Sequence, residues 1–240
     1  LDELKADIEI YHLNEAHALS AAFYLYKKFK SVEEVQKRLV FTTHTPEEAG
    51  NEKHDIRLLD KMGFFCGTPM EEVRKVSGIK DDVFVHTVVA LRFAKIANGV
   101  SRTHGEVANE MWSKYAGICK IISITNAQNK KYWADKQLNK AAENNDLEFI
   151  RKRKCEMKSE LFSVVADQTG QLFNTETLTI VWARRFAAYK RADLLTYDEE
   201  RFEKLLSNSK YPVQIIWAGK PYPMDYSAIS MFNKRVHLSK

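Results

Sequence analysis

A cluster of positively charged residues directly after a short apolar segment is the strongest chemical signal in the sequence. Residues 179–182 (TIVW) are apolar or β-favouring and predict a buried strand. Four cations follow it: Arg184, Arg185, Lys190 and Arg191. At the end of a parallel strand, guanidinium forks and the N–H groups of a helix start can share one phosphate group. The pattern predicts an anion site there, with a helix resuming near Ala192; the alternative is a set of solvated surface cations.

A second apolar segment ends in a similar way. Residues 213–218 (VQIIWA) predict a strand, and Gly219 and Lys220 form the turn after it. A Gly-Lys pair alone does not have the glycine spacing of a P-loop and is a weak phosphate signal. Together with the cations after residue 182, it predicts positive groups at the ends of two successive strands.

In the first half of the chain, residues 39–43 (LVFTT) predict a buried strand that ends at His44. A histidine at the end of such a strand lies where an open α/β sheet presents a ligand site. His12 and His17 lie near the end of another short segment, but these three histidines have no helical i, i+4 spacing with an added carboxylate. We therefore expect no metal site among them.

The remaining pattern alternates between helical and strand periods. Helices are predicted over 15–29, from Thr68 to Gly78 with Thr68, Pro69 and Glu71 as a capping box, and over 100–112 with Val107 and Met111 on its apolar face. Residues 83–97 fit a helix followed by a strand, and residues 120–125 fit a strand. This alternation indicates an α/β fold with parallel sheets and crossover helices.

Residues 130–165 have a different character. They predict two long, charged, glycine-free helices, the second of which carries the basic run 151–154. We interpret this part as a connection between two α/β units, and the basic run as a solvated helix face.

Composition excludes several classes of protein. The chain has 240 residues, 45% of them apolar, and a net charge of +5, which is too modest for a nucleic-acid-binding surface. No apolar run approaches 18 residues, and the first residues do not form a signal-peptide core. Cys66, Cys119 and Cys155 form no CxxC pair, so a disulfide framework is not expected. A cytoplasmic protein without nucleic-acid or membrane partners is predicted, and its oligomeric state stays open.

Six ordered segments resemble the α-glucan (glycogen, starch, maltodextrin) phosphorylase family, in particular its shorter bacterial branch. They are YHLNEAHA, VFTTHTPEEAGN, ANGVSRTHGEVANEMW, SITNAQNKKYW, LTIVWARRFAAYKRADLL and IWAGKPYP. The resemblance implies the GT-B architecture, in which two Rossmann-like domains face each other across a cleft. It also implies phosphorolysis of terminal α-1,4-linked glucose by inorganic phosphate, which releases glucose 1-phosphate from a glucan or maltodextrin.

The same resemblance implies roles for individual residues. His44 is expected in the glucosyl pocket, with Glu15 and His17 in a supporting role behind the sugar. Arg185 and Lys190 are expected to bind the attacking phosphate, beside Arg184. The last pair, Gly219 and Lys220, matches a strand-end turn in the domain that binds pyridoxal phosphate.

The resemblance also implies domain boundaries. Residues 1–126 correspond to the end of the N-terminal domain, 127–175 to a helical connection, and 176–240 to the start of the C-terminal domain. No glycine-rich, NMK-like segment with the Schiff-base lysine occurs before Lys240. We therefore expect an internal fragment that is inactive by itself and binds no pyridoxal phosphate, although the full-length parent does.

A second departure from the family pattern concerns Ala127, and two alternative functions stay open. Ala127 stands where the family usually has glycine, which puts the local backbone in doubt because alanine disfavours positive φ. A GT-B glycosyltransferase that uses a nucleotide sugar would also place an Arg/Lys pair on a donor phosphate. A noncatalytic basic module, resting on residues 151–154, is the remaining alternative.

Overall fold

The structure, a computed structural model, describes residues 3–47 and 50–239, which form two compact units, Leu1–Gln128 and Asn129–Lys240. The first unit contains strands and helices in alternation. In chain order they are β1 (Tyr11–Asn14), α1 (Ser20–Phe29), α2 (Val32–Gln36), β2 (Leu39–Thr43), β3 (Lys53–Asp55), α3 (Ile56–Lys61), α4 (Met70–Ser77), β4 (Val83–Val85), α5 (His86–Phe93), β5 (Ile96–Gly99), α6 (Arg102–Trp112) and β6 (Ile121–Ser123).

The main sheet of this unit is four-stranded and parallel throughout, in the order β1-β2-β5-β6. This confirms the α/β fold with parallel strands that the alternation predicts. Strand β2 has the predicted bounds, and five of its residues are buried or half-buried because helices cover both faces of a parallel sheet. The segment 83–97 contains a strand before its helix, and β3 and β4 form a separate antiparallel pair.

Aromatic rings fill the core of this unit. Phe23 of α1 is fully buried, and its ring lies 4.9 Å from Phe65 and 5.3 Å from Phe93, both edge-on. Edge-to-face pairs at such distances contribute about 1 kcal/mol each beyond the area they bury. These contacts hold α1 and α5 against the sheet and so fix the strand ends that follow.

Three local predictions were wrong in detail. The helix expected over 15–29 begins at Ser20, after a 3-10 turn over Ala16–Ala18. The capping box is not formed, because α4 begins one residue late with Pro69 as N-cap, and the buried Thr68 hydroxyl has no partner among the described residues. In α6, Val107 is 36% exposed, while His104, Gly105, Ala108 and Trp112 form the buried face.

The second unit is built on two parallel strands and long helices. Its elements are α7 (Lys130–Trp133), α8 (Lys136–Glu143), α9 (Leu147–Thr169), β7 (Leu178–Ala183), α10 (Glu199–Leu206), β8 (Val213–Ala218) and α11 (Tyr226–Leu238). Strands β7 and β8 pair in register over six residues each, which confirms that both predicted strands exist. The prediction that the first of them is buried was wrong, because every residue of β7 is exposed or half-buried and Val181 is 47% exposed. The helix expected near Ala192 is wrong: 3-10 turns occupy Ala188–Lys190 and Leu194–Thr196, and Arg191 between them is left-handed (φ 53°).

The prediction of two long helices over 130–165 was wrong, because α7 and α8 have only four and eight residues and α9 alone is long, with 23. Helix α9 carries the basic run 151–154, as predicted. Three of its cations are exposed, but Arg153 is only 19% exposed and binds the Asp135 carboxylate at 2.9 Å. Asp135 is also the N-cap of α8, so this pair joins the start of α8 to the middle of α9. The basic run is therefore mostly a solvated helix face, as predicted, but Arg153 within it has a structural role. Within the described ranges, no helix has the length and apolar character needed to cross a bilayer.

The Asp135–Arg153 pair predicts a pH-dependent stability. The hydrogen bond from Arg153 is the main cause that lowers the pKa of Asp135, so the pair stabilises the fold above the unfolded pKa and loses this effect as the pH falls through the folded pKa. Asp135→Asn keeps the N-cap but removes the charge. We expect a lower urea midpoint at pH 7, with a difference from wild type that begins to shrink as the pH falls below about 4 and continues to shrink towards the lower pKa of the folded state.

The matched control is Glu200→Gln, because Glu200 and its partner Lys204 are both more than 70% exposed. Such a pair contributes little, so its urea midpoint should equal that of wild type at both pH values. An Asp135→Asn deficit that persists undiminished at pH 3 would contradict an electrostatic role.

Candidate functional site

The carboxyl ends of β1 and β2 bring two predicted site residues together. The backbone N–H of His44, after β2, donates to the Glu15 carboxylate, after β1. Thr45 Oγ1 donates to the same oxygen at 3.3 Å. Parallel strands place their ends at one edge of the sheet, which is where open α/β sheets bind ligands. Glu15 therefore fixes the main chain at His44, as a supporting residue would.

Two chains of side-chain hydrogen bonds extend along this edge. His44 Nε2 lies 2.6 Å from Asn14 Oδ1. On the neighbouring strands, Thr42 accepts from His12 at 2.7 Å and donates to Asn98 at 2.7 Å. These links connect β1, β2 and β5 through side chains that sequence reasoning left unassigned or did not name.

The backbone at Glu15 is strained. Its φ of 60° and ψ of −179° lie in a region that is essentially restricted to glycine and costs about 1–3 kcal/mol for other residues. Two contacts hold the residue there: its N–H donates to the Thr42 carbonyl at 2.9 Å, and its carboxylate accepts from His44. Strain of this kind is found at functional sites, where it positions a side chain that stability alone would not retain.

This strain predicts an unusual order of stabilities. Both Glu15→Ala and Glu15→Gly remove the carboxylate, but only glycine adopts the φ and ψ of residue 15 without cost. We expect the glycine variant to be more stable than the alanine variant by about 1 kcal/mol or more in urea unfolding. At most other positions the alanine variant is the more stable one, because glycine has more conformational freedom to lose on folding. An alanine variant at residue 15 that is more stable than the glycine variant would contradict the strain.

His104 joins this edge from α6 and was missed by sequence reasoning. Its Nδ1 accepts from the Val100 N–H at 3.1 Å, so Nε2 carries the proton. Nε2 is buried and, within the described part of the chain, has no partner of ordinary hydrogen-bond geometry. Burial lowers the pKa of His104, and the Thr45 backbone and Glu15 carboxylate offset this only in part. A neutral ring with a spare donor can bind a ligand oxygen; the signal was a histidine in the first turn after a strand.

His17 lies apart from the Glu15–His44 contact. Its Nδ1 is 3.2 Å from the Glu52 carboxylate, and its side chain is 71% exposed. The structure thus places His17 beside a different acidic residue from the one expected to act with it.

In the second unit, three of the predicted cations line one open groove. Arg184, Lys190 and Arg191 border a space of about 400 Å³, whose apolar wall includes Trp182 and Trp217. Each indole N–H donates to a backbone carbonyl of the 190–192 segment, Trp182 to Lys190 at 3.2 Å and Trp217 to Ala192 at 3.1 Å. These bonds hold the turn that carries the cations against the two strands. The groove can bind a small anion without the expected helix start.

Arg185 points to Tyr189, outside the residues that line the groove. Its guanidinium donates to the Tyr189 hydroxyl at 3.4 Å, and Lys190 Nζ lies 4.5 Å from the centre of the same ring. Partial burial raises the pKa of Tyr189, but the Arg185 hydrogen bond and the Lys190 charge outweigh it, so the net pKa is lowered. This shift reports a locally positive environment around Arg185 and Lys190.

Gly219 has a structural role in this arrangement. A Cβ atom at Gly219 would lie 1.8 Å from the Arg184 carbonyl oxygen, so only glycine fits where the two strand-end turns meet. The turns are also linked by backbone bonds from Arg184 to Ala218 (3.0 Å) and from Phe186 to Lys220 (3.1 Å). Lys220 itself is exposed at this edge.

The doubt about the backbone at Ala127 is resolved. Ala127 does not have a positive φ, so alanine fits its conformation without strain. The departure from the family pattern at this position therefore has no cost in local geometry.

Comparison with known proteins gives relatives over nearly the whole chain, although no family model matches it. An uncharacterized protein of Methanocaldococcus jannaschii is 45% identical over 95% of the chain. The maltodextrin phosphorylase of Thermococcus litoralis is 29% identical over 99% of the chain, and the glycogen phosphorylase of Aquifex aeolicus is 27% identical over 100%.

The chain spans 43%, 34% and 43% of the lengths of these three relatives, respectively. The similarity to the two named enzymes includes both units and hence both clusters described above. These comparisons support a relationship between this α/β chain and the glycogen and maltodextrin phosphorylases.

Proposed function

We propose that this chain supplies the glucosyl-site edge and the phosphate-site cations of an α-1,4-glucan phosphorylase. The reaction releases glucose 1-phosphate from the end of a glucan or maltodextrin chain, with inorganic phosphate as the attacking group. The observation that carries the proposal is the similarity to maltodextrin phosphorylase over 99% of the chain, because it includes both candidate clusters. The parallel strands of both units support a GT-B architecture for the whole protein.

Each cluster has the chemistry that its proposed half-site needs. A dianionic phosphate is repelled by other anions, so cations must hold it in place. Arginine, with its bidentate guanidinium, and lysine, with its point charge, are well suited to this. Arg184, Arg185 and Lys190 provide both types. A sugar ring is recognised by uncharged hydrogen-bonding groups in fixed positions, and the main chain at His44, whose N–H is held by Glu15, offers its carbonyl as a fixed acceptor.

The domain boundaries follow from the same proposal. We assign 1–126 to the end of the N-terminal domain, 127–175 to the helical connection and 176–240 to the start of the C-terminal domain. The compact units divide after residue 128, and helices α7, α8 and α9 fill most of the proposed connection.

Pyridoxal phosphate is the cofactor that this proposal gives to the whole protein. Gly219 and Lys220 fit a cofactor role only in part. The space in front of Gly219 is filled by the Arg184 carbonyl and leaves no cradle for a phosphate group, whereas the exposed Lys220 ammonium can approach one.

The test uses the protein expressed from the full reading frame that contains this sequence. We expect glucose 1-phosphate to form from maltoheptaose only when inorganic phosphate is added. Glucosyl transfer that requires a nucleotide sugar instead would replace the proposal with a glycosyltransferase. Binding to polyanions that weakens steeply with salt, without either activity, would replace it with a basic binding module.

A further inference from the structure

Three side chains with metal-binding atoms meet beside the main sheet of the first unit. Glu52, His54 and His86 each offer one ligand atom, and these atoms all lie within 4.8 Å of one another. His54 Nδ1 and His86 Nε2 are 3.0 Å apart. Zinc bound to two histidines at about 2.0–2.1 Å in a tetrahedron holds their nitrogens about 3.3 Å apart. The histidine pair is therefore already close to the spacing that a metal requires.

The strand pair β3–β4 explains how residues more than thirty positions apart come together. His54 lies opposite Phe84, and the His86 N–H donates to the Glu52 carbonyl at 3.2 Å, which extends the pairing by one step. Because side chains alternate between the faces of a strand, Glu52, His54, Phe84 and His86 share one face. The cluster is thus fixed by the backbone and does not depend on long, mobile side chains.

His86 is the anchor of the cluster. It is only 3% exposed, and its ring packs against Phe84 (4.9 Å) and Phe64 (5.3 Å). Its Nδ1 is buried and has no partner among the residues described. The cost of burying this ring is therefore offset by a polar contact only at Nε2, which faces His54. A bond from Nε2 to a metal ion would offset more of that cost.

His17 lies next to the cluster but is not one of the three residues whose ligand atoms all lie within 4.8 Å of one another. Its Nδ1 lies 3.2 Å from a Glu52 carboxylate oxygen and so helps to hold that carboxylate. Two imidazoles and one carboxylate make a three-ligand set of the nitrogen and oxygen type, which suits zinc with a water molecule in the fourth position. The spacing of His12, His17 and His44 predicted no metal site, and this set is a different one that only the folded chain assembles.

We propose that Glu52, His54 and His86 form a binding site for one divalent transition metal ion, with Zn²⁺ as the preferred ion. Such an ion joins the chain that follows His44 to the start of α5. It therefore fixes the loop after His44 at both ends, since His44 is already bound to Glu15. This role is structural and does not depend on the proposed phosphorylase activity.

The test is a zinc titration of the chain after treatment with EDTA and dialysis. Isothermal titration calorimetry should show one Zn²⁺ per chain, and Zn²⁺ should raise the melting temperature because it binds only the folded state. His54→Gln removes an exposed ligand and leaves the buried ring in place, so the fold should be retained. We expect this variant to bind Zn²⁺ at least about tenfold more weakly, because even outer contacts of a metal site change affinity by that factor.

The matched control is His237→Gln, which removes another exposed histidine, on α11 in the other unit. It should bind Zn²⁺ as wild type does, and circular dichroism of all three proteins without metal should be the same. Three results would overturn the proposal: no stoichiometric binding by wild type, binding that His54→Gln retains, or an equal loss in both variants. The last result would indicate nonspecific binding to surface histidines.

Discussion

Replacing Gly219 with alanine is expected to cost the second unit roughly 3 kcal/mol or more in unfolding free energy. The added Cβ would lie 1.8 Å from the Arg184 carbonyl oxygen, which belongs to the backbone and cannot rotate away. The turns after β7 and β8 would have to separate, which would break their backbone hydrogen bonds. Urea unfolding, followed by circular dichroism, measures the change.

Gly170→Ala is the matched control in the same unit. Gly170 has a φ of 72° but nothing within 4 Å of its potential Cβ, so alanine meets only the backbone cost of about 1 kcal/mol. The comparison separates the steric clash expected at Gly219 from the backbone cost of the positive φ at Gly170. Equal losses in the two variants would show that the turns after β7 and β8 tolerate a side chain, and Gly219 would have no special packing role.

Arg185→Ala is expected to raise the KM for phosphate by about tenfold or more in phosphorolysis by the full reading-frame product. The loss of one charge-assisted hydrogen bond to an anion costs about 1.5–3 kcal/mol, and about 1.4 kcal/mol corresponds to a factor of ten. The fold should be unaffected, because Arg185 is exposed and its side chain contacts Tyr189 through a long 3.4 Å hydrogen bond. Initial rates at increasing phosphate concentration provide the measurement.

Arg201→Ala is the control, since Arg201 is an exposed cation on α10 outside the groove. It should leave the phosphate dependence unchanged, which excludes an effect of net charge alone. If Arg185→Ala also leaves it unchanged while Arg184→Ala raises it, the phosphate site consists of the groove cations. Arg185 would then have no part in it.

The sequence by itself determined most strands of the parallel sheets and their parallel arrangement, but not the antiparallel pair β3–β4. Strands β2 and β8 occur with the predicted bounds, and β7 extends the predicted 179–182 by one residue at each end, because each is a short apolar run bounded by polar or turn residues. The alternation with helical segments was enough to indicate parallel sheets, since parallel strands need crossover connections. Residues at the predicted strand ends, such as His44 and Arg184, could therefore be named as site candidates in advance, whereas Glu15 was named only through the family resemblance.

Helix starts were less predictable, because they depend on single residues. Arg191 adopts a left-handed conformation that ends the 3-10 turn before it, so the expected helix does not begin near Ala192. A one-residue shift of α4 likewise removes Thr68 from the capping position. Hydrophobic periodicity shows neither the φ of residue 191 nor a helix start that is shifted by one residue.

Only the tertiary structure decided which side chains meet. The strain at Glu15, the spare donor of His104 and the juxtaposition of His54 with His86 depend on contacts between segments far apart in the chain. Sequence patterns report which face of an element is buried, because burial follows the local period of the backbone. They do not report which distant element covers that face, and the candidate sites of this protein are made by such pairings.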